Sequence, residues 1–272
     1  MAGILVNEYK VPIVNACKDM QISRSCYYYV SSTKADPIED ELLLLANDNP
    51  KYGCRKLYQL LRLRGVIVNH KKVSRLYKLH QLHLRVKQSK RLVSCEKHPL
   101  TQPDSELHTW SCDFIHDKLQ SGRKLKALTV VDEFNREAVT VHIESRINSS
   151  KLLQIFNQLK YTYGLPKFIR SDNGREFTAL KVQQWATVNG IQWLFIQPGK
   201  PMQNAYCERF NGTYRREVLD SYLFTSFSEA RLITNCWVNK YNYERPHDSL
   251  GGLTPMLYKE KYGANLSTLM CA

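Results

Sequence analysis

Residues 107–143 read LHTWSCDFIHDKLQSGRKLKALTVVDEFNREAVTVHI, and this stretch sets the architecture. Leu107 to Ile115 alternates loosely around Trp110 and Phe114. Leu125–Val131 and Ala138–Ile143 are β-rich runs separated by the polar Asp132-Glu133-Phe134-Asn135-Arg136. That is the pattern of a three-strand meander. Downstream, helical periodicity and short apolar runs take turns. Helices are predicted near Ser150–Tyr163, Ala179–Val188, Gln203–Leu219 and Phe227–Asn242, with strands at Lys167–Arg170 and Ile191–Ile196. Ser226 and Glu229 have the spacing of a capping box for the last helix. Antiparallel strands followed by alternating helices and strands predict an α/β fold, a mixed sheet with helices packed on it.

Beyond this stretch, the chain has 272 residues, 43% apolar and 24% charged, with 39 Lys/Arg against 25 Asp/Glu and a net charge of +14. This composition excludes collagen-like, disordered and disulfide-scaffold classes. No run of 18 apolar residues exists, so no membrane span is expected, and the first residues lack the basic and apolar regions of a secretory signal. The eight Cys have no repeating spacing and read as free thiols of a cytoplasmic protein. No Cys-x-x-Cys pair accompanies His80 and His83, which argues against structural zinc.

The charge is concentrated. Residues 51–97 hold 14 Lys/Arg and one acid, Glu96, whereas the other 225 residues hold 25 basic and 24 acidic groups. The basic module reads as helical, with Asp36-Pro37 opening one helix, Arg55–Arg64 a second stopped by Gly65, and Asn69 capping a third. Upstream, Val11–Asp19 and Arg24–Tyr29, with Ser23 as a cap, look like a helix-turn-helix. Cations this dense repel one another unless a polyanion neutralises them, so the module is expected to meet DNA through Arg55, Lys56, Lys71, Lys72 and Arg75. A face of solvated helices would read the same way. The expected division is 1–34 (helix-turn-helix-like), 35–86 (basic helical domain), 87–105 (linker), 106–220 (core) and 221–272 (C-terminal helix and tail packing on the core).

Three acids stand out in the neutral part. Asp113 lies inside an apolar strand, where a charge is costly unless paired or bound to metal. Asp172 follows Phe168-Ile169-Arg170 in a Ser-Asp-Asn-Gly turn, a setting that also suits an ordinary turn aspartate. Glu208 shares a helix face with Asn204, Asn211 and Arg215, while Tyr206, Phe210, Tyr214 and Val218 form an apolar stripe. The polar face reads equally as facing a site or facing solvent. The acids are 58 and then 35 residues apart.

Each acid sits in a recognisable local sequence: Trp110-x-x-Asp113-Phe114, Ser171-Asp172-Asn173-Gly174-x-Glu176-Phe177, and Pro198-Gly199-Lys200-Pro201-x-Gln203-Asn204-Ala205-x-x-Glu208-Arg209-Phe210-Asn211. With Val130-Val131-Asp132-Glu133-Phe134-x-Arg136-Glu137 and the tail Tyr241-Asn242-x-x-Arg245-Pro246-His247-x-Ser249-Leu250-Gly251-Gly252-Leu253-Thr254-Pro255, these motifs make Trp110–Pro255 resemble the integrase catalytic core of DDE transposases. Over roughly residues 10–258 the chain is similar to the second-frame protein (OrfB) of bacterial insertion sequences with two overlapping frames, and residues 38–85 resemble the helix-turn-helix segment that precedes that core; Met1–Tyr9 match nothing in it.

The resemblance implies a ribonuclease-H-like fold preceded by small all-α segments, and a transposase that cleaves a strand at the element end and joins the 3′-OH to new DNA. It assigns Asp113, Asp172 and Glu208 as catalytic ligands of two Mg²⁺ (or Mn²⁺) ions, hard cations that suit carboxylates. It gives Asn204, Arg215 and Lys200 contacts to DNA, and a gating role to the loop Pro198–Pro201, while a purely structural role is the other reading of Asn204, Arg215 and the loop. Asp132 reads first as a strand-end turn residue and Glu176 as a helix-start acid, with direct metal contact the alternative for each; Cys112 and Cys207 read as core residues, and His247 as a hydrogen-bonded structural histidine or else a DNA or carboxylate partner. The implied partners are the element's terminal inverted repeats, target DNA, an upstream-frame (OrfA) protein or fusion, and further copies on DNA, with no membrane. The family's active form is typically a frameshifted fusion with a coiled coil, and no heptad run occurs here. Two other readings are a DNA-binding regulator without catalysis and a stand-alone nuclease on the same fold.

Overall fold

The computed structural model describes residues 2–29, 37–84, 102–197, 199 and 201–263. Asp36, most of the expected linker, Pro198 and Lys200 lie outside the described residues. The chain divides into two compact units, residues 1–44 and 45–272.

The first unit opens with α1 (Ala2–Asn7), α2 (Ile13–Asp19) and α3 (Arg24–Tyr27). Ser23 Oγ accepts from Cys26 N at 3.2 Å and caps α3. That helix is only four residues long, shorter than the Arg24–Tyr29 segment expected. The next helix, α4 (Pro37–Asp48), begins at its proline and carries Glu39 and Asp40 in its first turn, where the helix dipole favours negative charge.

The second unit contains α5 (Cys54–Leu63) and α6 (His70–Leu79), followed by the sheet. Asn69 Oδ1 accepts from Lys71 N at 2.9 Å and caps α6. Leu57, Leu60 and Leu61 of α5 and Val73, Leu76 and Tyr77 of α6 are buried, as their helical spacing predicts. These helices share one compact unit with the sheet. Gln59 of α5 donates to Asp248 at 2.8 Å, and Tyr52, just before it, receives Arg245 at 3.3 Å.

The sheet consists of β1 (Thr109–Lys118), β2 (Lys124–Asp132), β3 (Ala138–Glu144), β4 (Phe168–Ser171) and β5 (Gln192–Phe195). Its order is β3-β2-β1-β4-β5. The first three strands are antiparallel; β4 and β5 run parallel to β1. Between β3 and β4 lies α7 (Ser149–Thr162); α8 (Arg175–Thr178) and α9 (Leu180–Val188) lead to β5. One apolar layer unites Trp110, Cys112, Leu128 and Val130 with Phe156 of α7 and Val182 of α9. The other unites Ile115, Ala127, Val131 and Val141 with Phe210, Tyr214 and Tyr241. Strand alternation sends successive side chains into opposite layers, and this arrangement is a ribonuclease-H-like fold.

The expected helix Gln203–Leu219 is not continuous. A 3₁₀ turn (Pro201–Asn204) leads into α10 (Ala205–Tyr214), which widens to a π turn at Arg215–Leu219. Asp220 N reaches Arg215 O at 2.8 Å across the wide turn. The turn buries Val218 and Leu219 together and aims Glu217 at Trp237 and Arg245. Then follow α11 (Phe227–Tyr243), a 3₁₀ turn (Asp248–Leu250) and α12 (Pro255–Gly263). Ser226 Oγ caps α11 by accepting from Glu229 N at 3.1 Å. The Glu229 carboxylate reaches back to Thr225, one residue earlier than a reciprocal capping box requires.

Candidate active site

The sheet register brings two of the three acids together. β1 and β4 pair in parallel as Thr109–Phe168, Trp110–Ile169 and Ser111–Arg170. Extended by two residues, that register sets Asp113 alongside Asp172, just past the end of β4. Asp113 Oδ1 accepts from Phe114 N at 2.8 Å and Oδ2 from Asn211 Nδ2 at 2.8 Å. Burial, helped by the charges of Asp172 and Glu208, pushes the Asp113 carboxyl up to about 6 against the pull of these two donors.

Asp172 is held by its own turn. Its Oδ1 accepts from Gly174 N at 3.1 Å, and its carbonyl accepts from Ser171 Oγ, which in turn accepts from Trp193 Nε1 at 2.9 Å. A Cβ on Gly174 would stand 3.0 Å from that same Oδ1, so the turn needs glycine here for close approach rather than for an unusual φ. Asn173 anchors the turn to Ile196 O at 2.7 Å.

Glu208 comes from α10, whose polar face does look toward the strands. Asn211, one turn on, bridges Thr129 Oγ1 (2.9 Å) and Asp113. Glu208 itself is exposed, with its carboxyl raised by partial burial. Among the described residues, no three His, Cys, Asp or Glu side chains are grouped closely enough to hold one metal ion. The three carboxylates are therefore not gathered into one cluster in this conformation, and the strand register sets only Asp113 and Asp172 alongside each other.

Asn204 is 3% exposed, and its Nδ2 donates to Cys112 O at 3.3 Å. At the end of a 3₁₀ turn its side chain turns inward onto β1, which fits the structural one of its two readings. Arg215 is half-exposed, 3.5 Å from Asp117 and donating to His116 O at 3.0 Å. Lys71 and Arg75 lie on α6, Lys71 exposed at its start; Lys72 and Arg75 are given by the same helix. Arg55 is exposed and pairs with Asp248 at 3.3 Å; Lys56 lies 5.0 Å over the Tyr52 ring.

The neighbouring acids have structural partners. Asp132 is buried and accepts from Phe134 N, Leu107 N and Trp110 Nε1, so it organises the end of β2. Glu176 pairs with Lys126 at 2.5 Å, and Lys126 also lies 3.8 Å over Phe114. Glu133, beneath the site, accepts from Ser111 and pairs with Arg170 at 3.0 Å. Arg170 donates onward to Gln203 O at 3.1 Å, tying β4 to the 3₁₀ turn before α10. Cys112 and Cys207 are fully buried. His247 differs from its expected role: its Nε2 is buried without a hydrogen-bond partner, and burial with nearby Arg245 and Lys56 lowers the imidazole to about 3. Sequence reasoning gave no role to Asn211, Gly174 or the Glu133–Arg170 pair. Asn211 was the legible one, since it shares the polar face with Glu208.

Two family models described as integrase core domain match residues 103–201 and 189–255, and one described as HTH-like domain matches residues 41–91. The insertion element IS407 uncharacterized 31.7 kDa protein of Burkholderia multivorans is 36% identical over 251 residues, covering 92% of this chain and 91% of that protein. The chain belongs to the integrase-core transposases of bacterial insertion elements. The IS476 39.2 kDa protein of Xanthomonas euvesicatoria is 35% identical, covering 91% of this chain and 72% of its own length. The transposase for IS629 of Shigella sonnei is 23% identical, covering 92% of both chains. Among solved structures, the HTLV-2 integrase catalytic core domain gives a TM-score of 0.47 at 22% identity, covering 57% of this chain and 97% of that one. As an integrase-core transposase the chain is a DDE-type polynucleotidyl transferase that binds DNA and breaks and joins its phosphodiester bonds.

Proposed function

We propose that Asp113, Asp172 and Glu208 carry the chemistry of this transposase at the ends of its insertion element. The observation that supports this reading is the parallel register that sets Asp113 beside Asp172, with Asn211 from the helix of Glu208 bonded to Asp113. Paired carboxylates with an upward-shifted member are a cluster short of positive charge. All the available donors are hard oxygens, which suits magnesium or manganese. Two such ions, when bound, would polarise the scissile phosphodiester and stabilise charge on the attacking and leaving oxygens.

The protein's own residues do the rest. Asp113 and Asp172 are pre-positioned by the sheet, by the Phe114 N–H and by the Gly174 turn. Glu208 joins them by turning an exposed side chain, a reorientation that costs at most about 2 kcal/mol of rotamer entropy. Asn211 orients Asp113, and Asn204 fixes the start of α10 against β1. A water first cuts the strand at the element end and leaves a 3′-OH. That 3′-OH then attacks a target phosphodiester in the same site, forming a new P–O bond as the bond to the target strand's 3′-oxygen breaks and that oxygen leaves as a 3′-OH. Lys71, Lys72 and Arg75 on α6, with Arg55, Lys56, Lys200 and Arg215, supply phosphate contacts. The described part of the chain has no helix long and apolar enough to cross a membrane. We place the protein in the bacterial cytoplasm on DNA, working as an oligomer with its upstream-frame partner, and we retain the five-segment domain division expected from the sequence.

Strand transfer with Asp172→Asn tests the proposal. The variant should bind end DNA like the wild type and yield neither cleaved nor joined product in Mg²⁺. Retained joining would refute the assignment, and cleavage without joining in the wild type would favour a nuclease.

A further inference from the structure

On a different face of α10 from Glu208 lies a cavity of about 480 Å³. It opens between Lys56 at the start of α5, Arg136 in the β2–β3 turn, Arg209 and Arg216 along α10 and its π turn, and Arg245 and His247 after α11. At 100° per residue, Arg209 and Arg216 project from a different face of the helix than Glu208 and Asn211. The cavity is therefore separate from the carboxylate site, though both are built on one helix.

Its positive charge is only partly compensated. Among the described residues, Asp248 is the one acid on its wall, and that carboxylate is engaged by Arg55 and Gln59. Arg245 is neutralised by Glu217, 2.5 Å away on the far side. Among the described residues, Lys56, Arg136, Arg209 and Arg216 make no ion pair with a carboxylate.

Two buried polar atoms on the wall have no hydrogen-bond partner: Nη1 of Arg136, a residue only 9% exposed, and Nε2 of His247. Leaving such groups unpaired costs on the order of 1–3 kcal/mol each, so a missing acceptor is the natural reading. Arg136 is held there against its backbone preference, at φ 64°, with its guanidinium 3.8 Å from the centre of the Tyr206 ring. Burial, aided by Arg245 and Arg216 against the pull of Glu217 and Asp248, lowers the Lys56 ammonium to about 8.

We propose that this cavity is a phosphate subsite that grips a DNA backbone phosphate away from the phosphodiester being cut. Guanidinium forks match phosphate oxygens two at a time, and Arg136 Nη1 and, in the Nε2–H tautomer of the neutral imidazole, His247 Nε2 supply the remaining donors. The Tyr206 edge and the apolar wall of Val131 and Phe210 leave room for the adjoining sugar. A strand held here and a strand held at the acids would clasp α10 from two sides. The inference rests on the protein's action on DNA and does not depend on the assignment of the three acids.

The test uses the full chain with a duplex carrying the element end, in chelator, so that no chemistry occurs. Arg209 and Arg216 line the open side, and the double variant Arg209→Gln/Arg216→Gln keeps the buried wall intact. Each lost phosphate contact should loosen binding about 8-fold at 0.1 M salt and flatten the plot of log affinity against log salt by about one. The imidazole NMR signal of His247, assigned with His247→Gln, should move on adding duplex. An unchanged salt slope in the double variant, or a His247 signal unmoved by duplex, would overturn the proposal. If inorganic phosphate alone moves that signal and duplex does not, the cavity is a small-anion site and the DNA assignment falls. Failure of the carboxylate assignment would show instead as unimpaired strand transfer by Asp172→Asn, leaving these readouts untouched.

Discussion

The strand acids and the helix acid of the candidate site are held in opposite ways. Asp113 and Asp172 are locked by register, by backbone N–H groups and by a glycine turn, whereas Glu208 stands exposed on a helix that begins in a 3₁₀ turn and ends in a π turn. A hydrogen-bonded sheet cannot slip by a residue without exposing its core face, so it can hold two like charges together at a cost. A helix with irregular ends can adjust, and π turns recur at functional sites. In the function proposed above, the rigid half holds the buried, upward-shifted Asp113 carboxyl in place, and the movable half would complete the site when a cation binds.

The largest effect should come from breaking the rigid half. Asp113→Asn or Asp172→Asn should lower strand cleavage by at least about 10³-fold, the scale for removing a member of a catalytic set. Glu208→Gln should be as damaging to cleavage, yet weaken Mn²⁺ binding by calorimetry less than either strand variant does. Equal losses of affinity would erase the distinction. Next comes the link between the halves. Asn211→Ala frees Asp113 Oδ2 and should cost cleavage about 10- to 100-fold, as other supports of metal ligands do. Gly174→Ala pushes its Cβ against Asp172 Oδ1 and should reduce cleavage about 10-fold while thermal unfolding stays within a few degrees of wild type.

The smallest effect is on stability. With its carboxyl raised to about 6, folded Asp113 keeps a proton that the unfolded chain releases near pH 4. Stability is therefore lost as pH rises from about 4 to about 6, and the deficit persists above that. A tenfold change in proton affinity corresponds to about 1.4 kcal/mol, so in metal-free protein Asp113→Asn should raise stability at pH 7.5 by up to about 3 kcal/mol and leave it unchanged at pH 3.5. Denaturant melts at the two pH values decide it; a destabilised variant at pH 7.5 would show that the carboxylate is not strained.

Most of the fold was legible because its signals are local. The meander 107–143, the caps at Asn69 and Ser226, and the buried stripe Phe210, Tyr214 and Val218 follow from alternation, capping chemistry and helical spacing. What stayed hidden depends on partners distant in sequence. Asn204 looked like a companion of Glu208 by phase, and only the β1 carbonyl turns it inward. The π turn after Tyr214 answers to Trp237 and Arg245, which no window around residue 215 contains. Arg136 read as one letter of a motif, and its unpaired nitrogen emerges only when Tyr206 and the cavity wall are assembled around it.

Anomalous scattering from Mn²⁺ bound to crystals of the full chain would decide whether a rigid strand pair and a movable helix acid share one cation. Metal density is expected between Asp113 and Asp172, with the Glu208 side chain turned in from solvent to ligate it. Metal held away from the Asp113–Asp172 pair, or held by that pair while Glu208 stays in solvent, would contradict this arrangement.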